Sequence, residues 1–278
     1  MAQDIKIRSR IATLKSLNSI FSALQVITVT KLSKARGRLN AALKFRDELL
    51  EAIQSVGPYF HDKTKIGGAT AAVLVSGNRG LCGTFNQDVF NRAQSFISEH
   101  KDEDIRFFVF GHRGYEFLKS KKQNIREFYL SDTADIESVK TLAAQLWQSF
   151  GNGTFSGVYL INNHFYTHFN RRAVANRILP QEVEVDLMAD GMIITEPDLI
   201  MLKKNLSFSY FMATLFFARS ESQLGELSAR MVTLKSAIDN SKELIDDLII
   251  QRNKARQQMI TQEILEIVET SEALKGEG

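Results

Sequence analysis

From Leu224 onward the apolar residues fall three and four apart, at Leu224, Leu227, Met231, Leu234, Ile238, Ile245 and Leu248, with Ser241 filling one position of the stripe. This heptad spacing predicts a helix with one apolar seam. The surrounding stretch, 205–274, has no proline and Gly225 as its only glycine. It reads as a single rod of about seventy residues, on the order of 100 Å long, too long for a body of this size to wrap. The chain opens on the same pattern. Ile7, Ile11, Leu14, Asn18, Phe21, Gln25, Thr28, Leu32, Ala35, Leu39, Ala42, Arg46, Leu49, Ile53 and Val56 keep the alternating spacing until Gly57-Pro58 ends the helix. Thr28, Ala35 and Ala42 are small enough to let another helix approach closely.

Between the two helices the period changes. Thr70–Val75, Ile105–Phe110, Ile125–Leu130, Val158–Asn162 and Arg172–Leu179 read as strands; Phe85–His100, Gly114–Lys121 and Ile136–Phe150 read as helices. Strands alternating with helices predict a mostly parallel, Rossmann-like sheet. The fold class is therefore α/β, with a long antiparallel coiled coil of the N- and C-terminal helices. The divisions are 1–57 for the first helix, 68–195 for the α/β foot and 205–274 for the last helix, with Thr195-Glu196-Pro197-Asp198 as a helix start.

Charge sharpens the pairing. Lys6, Arg8, Arg10, Lys15, Lys31, Lys34, Arg36, Arg38, Lys44 and Arg46 face Asp4 as the only acid before Asp47, whereas the last helix has an excess of acids. Opposite charge on two seamed helices favours their association. If they start level, the first helix covers the last from Asn205 to about Ala255 and leaves roughly twenty residues without a partner in this chain. The seam also breaks there, at Arg252, and a new stripe begins with Ile260, Ile264, Ile267 and Leu274. A bare helix of that length is marginal in water and invites association, so the tip is expected to insert into a sleeve of other proteins.

Composition narrows the class. The 278 residues include 3 prolines and 1 cysteine, with 35 Lys and Arg against 32 Asp and Glu. Few prolines suit long helices, and a lone cysteine gives no disulfide framework and points to a reducing compartment. The N-terminus has no apolar core of a secretory signal, and the longest uncharged apolar run, 205–218, is too short to span a bilayer.

Candidate chemistry is sparse. Ser76-Gly77-Asn78-Arg79-Gly80-Leu81-Cys82-Gly83 is a glycine-rich turn between a strand and a helix, where a phosphate could sit. It is neither GxGxxG nor a P-loop, and the second strand ends in Phe110-Gly111-His112 without a ribose-binding acid. Cys82 beside Arg79 is a conceivable nucleophile, against the plainer reading of a buried inert thiol. His164 and His168 are four apart, but their aromatic neighbours favour a strand, which would hold them about 13 Å apart. The basic face of the first helix suits nucleic acid or an acidic protein partner, and the partner is favoured. Phe208, Phe211, Phe216 and Phe217 read as core.

The terminal run Asn253-Lys254-Ala255-Arg256-Gln257, followed by Ile260-Thr261-Gln262-Glu263-Ile264-Leu265-Glu266-Ile267-Val268, resembles the C-terminal signature of the gamma subunit of F-type ATP synthases. Ser228-Ala229-Arg230-Met231, Leu244-Ile245-Asp246-Asp247-Leu248, the loop Arg79-Gly80-Leu81-Cys82-Gly83 with Phe85 and Asn86, and Ile5, Arg8, Arg10, Ile11 and Thr30-Lys31-Leu32 fit the same family. The resemblance spans nearly the whole chain. It implies a central-stalk rotor with no catalytic site and no cofactor, coupling proton flow through a membrane ring of c subunits to ATP synthesis or hydrolysis in a hexamer of alpha and beta subunits. It also implies epsilon and the c-ring as partners at the foot, no nucleic acid, and a peripheral place on the cytoplasmic face of a bacterial inner membrane. Carried over residue by residue, it makes Leu24, Lys31, Arg256, Gln257, Thr261 and Glu263 rotor–stator contacts and Arg79, Gly80, Cys82 and Gly83 the family loop. Departures are Leu24 where a Met is usual, Ser22 for a Lys and Asn78 for an Asp; the cysteine pair of chloroplast versions is absent.

Overall fold

The computed structural model describes residues 2–59, 68–130, 135–165, 171–181, 196 and 198–275, with side chains for those from 4 to 268. The elements run α1 (Ala2–Val56), β1 (Ala69–Val75), α2 (Phe85–Glu99), β2 (Ile105–Phe110), α3 (His112–Ser120), β3 (Ile125–Tyr129), α4 (Ile136–Gly151), β4 (Phe155–Phe165), β5 (Arg171–Leu179) and α5 (Leu199–Lys275). The chain divides into two compact units, Thr30–Arg230 and Met1–Val29 with Met231–Gly278.

The larger unit is built on a five-stranded sheet in the order β3-β2-β1-β4-β5. β1 pairs in parallel with β2 and β4, β2 with β3, and only the edge strand β5 runs antiparallel, against β4. β1 is buried at every position, the run of apolar side chains required of a strand covered on both faces. Alternation then sorts its residues. Ala71, Val73 and Val75 point into one core with Val139, Leu142 and Leu146 of α4 and Phe211, Leu215 and Ala218 of α5. Ala72 and Leu74 point into the other, with Val89, Ala93 and Phe96 of α2 and Leu118 of α3. The sheet is thus doubly wound, and α5 is one of its covering helices. Trp147 of α4 lies against Phe208 and Phe211, with ring centroids 5.7 and 5.9 Å away.

In this unit α1 runs antiparallel to α5: Arg38 donates to Gln223 Oε1 at 3.3 Å, and further along α1 the Arg46 guanidinium lies 4.1 Å over the Phe217 ring. That stacking accounts for an arginine at a seam position, since its charge rests on an aromatic face while its stem covers apolar surface. Ala35 and Ala42 are buried. In the smaller unit Ile7, Ile11 and Ile245 form a core with Leu14, Leu248 and Ile249 packed on it. Leu234, Ile238 and Ser241 are buried too, so the stripe read from the sequence is the covered one.

One difference from the sequence reading has a physical cause. β4 extends to Phe165 rather than stopping at Asn162, because the side-chain amides of the buried Asn162 and Asn163 find acceptors inside the protein. α5 begins at Leu199, directly after the anticipated helix start, with Asp198 Oδ1 accepting from the Ile200 N–H at 2.8 Å. Thr195 and Pro197 of the anticipated helix start, and His168 of the histidine pair, lie outside the described residues.

Candidate functional site

In this sheet the chain proceeds from β1 outward through β2 to β3, then returns to add β4 on the other side of β1. The reversal opens a crevice between the carboxyl ends of β1 and β4, the place where doubly wound folds bind ligands. Here the crevice is occupied by the protein's own α5, which enters with Glu221, Gly225, Glu226 and Arg230.

On the β1 side lies the turn from Gly77 to Gly83. Its inner wall is closed by Asn86, whose Oδ1 accepts from the Gly77 N–H at 2.9 Å and whose Nδ2 donates to Cys82 Sγ at 3.2 Å. The Glu226 carboxylate packs directly on Gly77, and a Cβ there would come within 2.8 Å of its Cδ. Arg230 pairs with Glu226 and donates from Nε and Nη2 to the Gly80 carbonyl, at 3.3 Å each. Arg79, Gly80 and Gly83 are exposed, and Gly83 takes a φ of 56°. The Glu226 carboxylate thus lies against the turn at Gly77, and its charge repels an incoming anion. The turn grips a helix where other folds grip a nucleotide.

Cys82 is 3% exposed. Burial, then the Glu226 charge, pushes its thiol above the ordinary value, against the opposing pull of Arg230, Asn86 and Arg171. An activated nucleophile needs the opposite shift.

On the β4 side Glu221 is buried and accepts from the Phe165 N–H at 3.1 Å, from Asn162 Nδ2 at 3.4 Å and from His164 Nδ1, with 3.0 Å to the nearer oxygen. Desolvation raises its carboxyl above the usual range, while the Phe165 amide, His164 and Arg46 pull it down. Asn163 donates to the Phe85 carbonyl at 2.8 Å, joining β4 to the first turn of α2. Between the two carboxylates, Gly225 lets α5 come against aromatic rings: a Cβ would stand 2.2 Å from Phe165 Cζ and 3.0 Å from Phe85 Cε2. His164 thus serves Glu221, and among the described residues no group of three His, Cys, Asp or Glu is placed to hold a metal.

The other predicted residues lie elsewhere. Arg256, Gln257, Thr261 and Glu263 are exposed on the last described turns of α5, with Thr261 Oγ1 donating to the Gln257 carbonyl at 2.9 Å. Beside them Ile260, Ile264, Leu265, Ile267 and Val268 are also exposed, Ile264 by 55% and Ile267 by 68%. Leu24 is half-buried on α1 and Lys31 exposed.

A family model described as ATP synthase matches residues 4–274. Among curated relatives, the ATP synthase gamma chain of Trichlorobacter lovleyi is 30% identical over 297 residues, covering 99% of this chain and 100% of its own. The chain belongs to the ATP synthase gamma-chain family. The gamma chain of Geotalea uraniireducens is 29% identical over 288 residues, with the same coverage. Two chains of the Euglena gracilis mitochondrial ATP synthase are similar to this chain in fold. One, from the rotor in rotational state 1, has a TM-score of 0.63 at 17% identity, covering 93% of this chain and 99% of its own. The other, from the OSCP/F1/c-ring assembly in rotational state 3, has 0.66 at 18%, covering 98% and 95%.

Sequence reasoning missed Glu221, Glu226 and the reason for Gly225. The signal was present in the lone glycine of a long helix, which costs about 1 kcal/mol against alanine unless close packing requires it.

Proposed function

We propose that this gamma chain is the non-catalytic central-stalk rotor of an F-type ATP synthase, turning with a membrane c-ring inside a hexamer of alpha and beta subunits. The observation that carries the reading is the bare apolar strip Ile260, Ile264, Leu265, Ile267 and Val268, on a helix whose preceding seam is covered. Such a strip needs a lining supplied by other chains. No helix of the described residues is long and apolar enough to cross a membrane, so membrane association comes through the complex. We assign that complex to the cytoplasmic face of a bacterial inner membrane, with epsilon and the c-ring at the α/β foot.

The rotor works by differential contact. An asymmetric shaft presents different side chains to each of three beta subunits in turn, and contacts that differ between open and closed nucleotide states shift the populations of those states. Arg256, Gln257, Thr261 and Glu263 on α5, with Leu24 and Lys31 on α1, are the side chains we assign to those contacts. The turn Arg79, Gly80, Cys82 and Gly83 is assigned to anchoring α5.

The test is deletion of 256–278 in the assembled complex. ATP-driven proton movement per ATP hydrolysed should fall while the foot stays folded, and undiminished coupling overturns the role of the tip. Copurification should recover one copy of this chain with three alpha and three beta subunits.

A further inference from the structure

At the crevice of the sheet's reversal point the foot holds a long helix from two sides. α5 presents Glu221 toward the end of β4 and Glu226 with Arg230 toward the turn after β1, with Gly225 seated against Phe165 and Phe85 between them. Side-chain packing alone would let a helix slide or roll on a sheet face, because apolar contact is non-directional. Hydrogen bonds to fixed backbone groups do not allow this. The Phe165 N–H belongs to the end of β4 and the Gly80 carbonyl to the turn after β1, so rolling α5 toward either one breaks the bonds to the other.

We propose that Glu221, Glu226 and Arg230 are positioning residues that lock α5 against rotation in the foot, so that torque delivered to the foot enters the helix here. The inference rests on the rotor reading above. It also gives the glycine-rich turn a role, since Gly77 leaves room for the Glu226 carboxylate and the Gly80 carbonyl accepts from Arg230.

The experiment uses the assembled complex in sealed vesicles. Glu221→Leu with Glu226→Leu removes the acceptor of the Phe165 N–H and the carboxylate that packs on Gly77 and holds Arg230. Backbone hydrogen exchange of segments 77–83 and 161–165 should quicken by about tenfold, as expected for losing charge-assisted hydrogen bonds. Protons moved per ATP should fall by about twofold or more while hydrolysis continues. Arg230→Lys keeps the charge but loses the forked hold on the Gly80 carbonyl. It should show a smaller change of the same kind and decides the matter by itself if the double variant does not assemble. Quickened exchange with an unchanged proton-to-ATP ratio overturns the transmission role. Unchanged exchange overturns the lock itself. If the unmodified complex shows no link between hydrolysis and proton movement, the rotor reading fails instead, and exchange still judges the lock.

Discussion

Gly225→Ala places one methyl group where α5 meets the end of β4. The added carbon would stand 2.2 and 2.4 Å from two atoms of the Phe165 ring and 3.0 Å from the Phe85 ring. Carbon atoms rest about 3.5–4.0 Å apart, so the Phe165 ring must move by more than about 1 Å. Overpacking of this kind costs about 1–3 kcal/mol. Alanine returns about 1 kcal/mol of helix propensity. With two rings in the way the upper part of the range applies, leaving a net loss of about 1–2 kcal/mol. Trp147 is the only tryptophan and lies in the core shared by α4 and α5, so its fluorescence follows the larger unit alone. With a urea dependence of about 2–3 kcal/mol per molar, its unfolding midpoint should drop by about 0.5 M. Phe165→Leu in the alanine background should recover much of the loss through a favourable coupling between contacting sites. A midpoint raised by Gly225→Ala would mean that propensity outweighs the clash and that close approach is not why glycine stands there.

Cys82 should resist alkylation at pH 8 in the folded chain and react once urea unfolds it, and Cys82→Ser should leave ATP turnover of the complex intact. Because the folded thiol value is raised, the stability it lends is complete below the unfolded value and is lost as pH climbs through the folded one. The Ser variant should therefore gain on the wild type in alkali, and parallel profiles would contradict this. Glu221 is raised in the same sense, so its contribution is full below the ordinary carboxylate value and is lost as pH rises through the folded value. Glu221→Gln keeps an acceptor for the Phe165 N–H. Its Trp147 midpoint should rise relative to wild type as pH climbs above the ordinary carboxylate value, and a falling difference would refute the assignment. Ile264→Lys with Ile267→Lys, both at exposed positions, should leave that midpoint within about 0.5 kcal/mol of wild type yet impair coupling in the complex. Normal coupling would show that the strip needs no apolar lining.

Much of the architecture could be read from periodicity because local pattern decides it. Ile7, Ile11, Ala35, Ala42, Leu234, Ile238 and Ile245 are buried at the spacing that marks a seam, and β1 is buried throughout as its composition requires. What could not be read depends on contacts distant in sequence. Asn162-Asn163 looks like the end of a strand until Glu221 and the Phe85 carbonyl are seen to accept from their side-chain amides. Arg46 looks out of place in a seam until Phe217 lies beneath it. The glycine-rich turn looks like a phosphate site because glycines fall between a strand and a helix, and only a side chain more than a hundred residues away shows what packs on it.

Since α5 supplies Phe211, Leu215 and Ala218 to one face of the sheet and Ile245 to the packing of Ile7 and Ile11, neither core can close until α5 has been synthesised. Synthesis of the stretch from Val56 to Leu199 alone takes roughly 7–30 s at ribosomal rates. During that interval the seam of the first helix has no α5 to cover it, and the strands as they emerge lack the cover that α5 gives one face of their sheet.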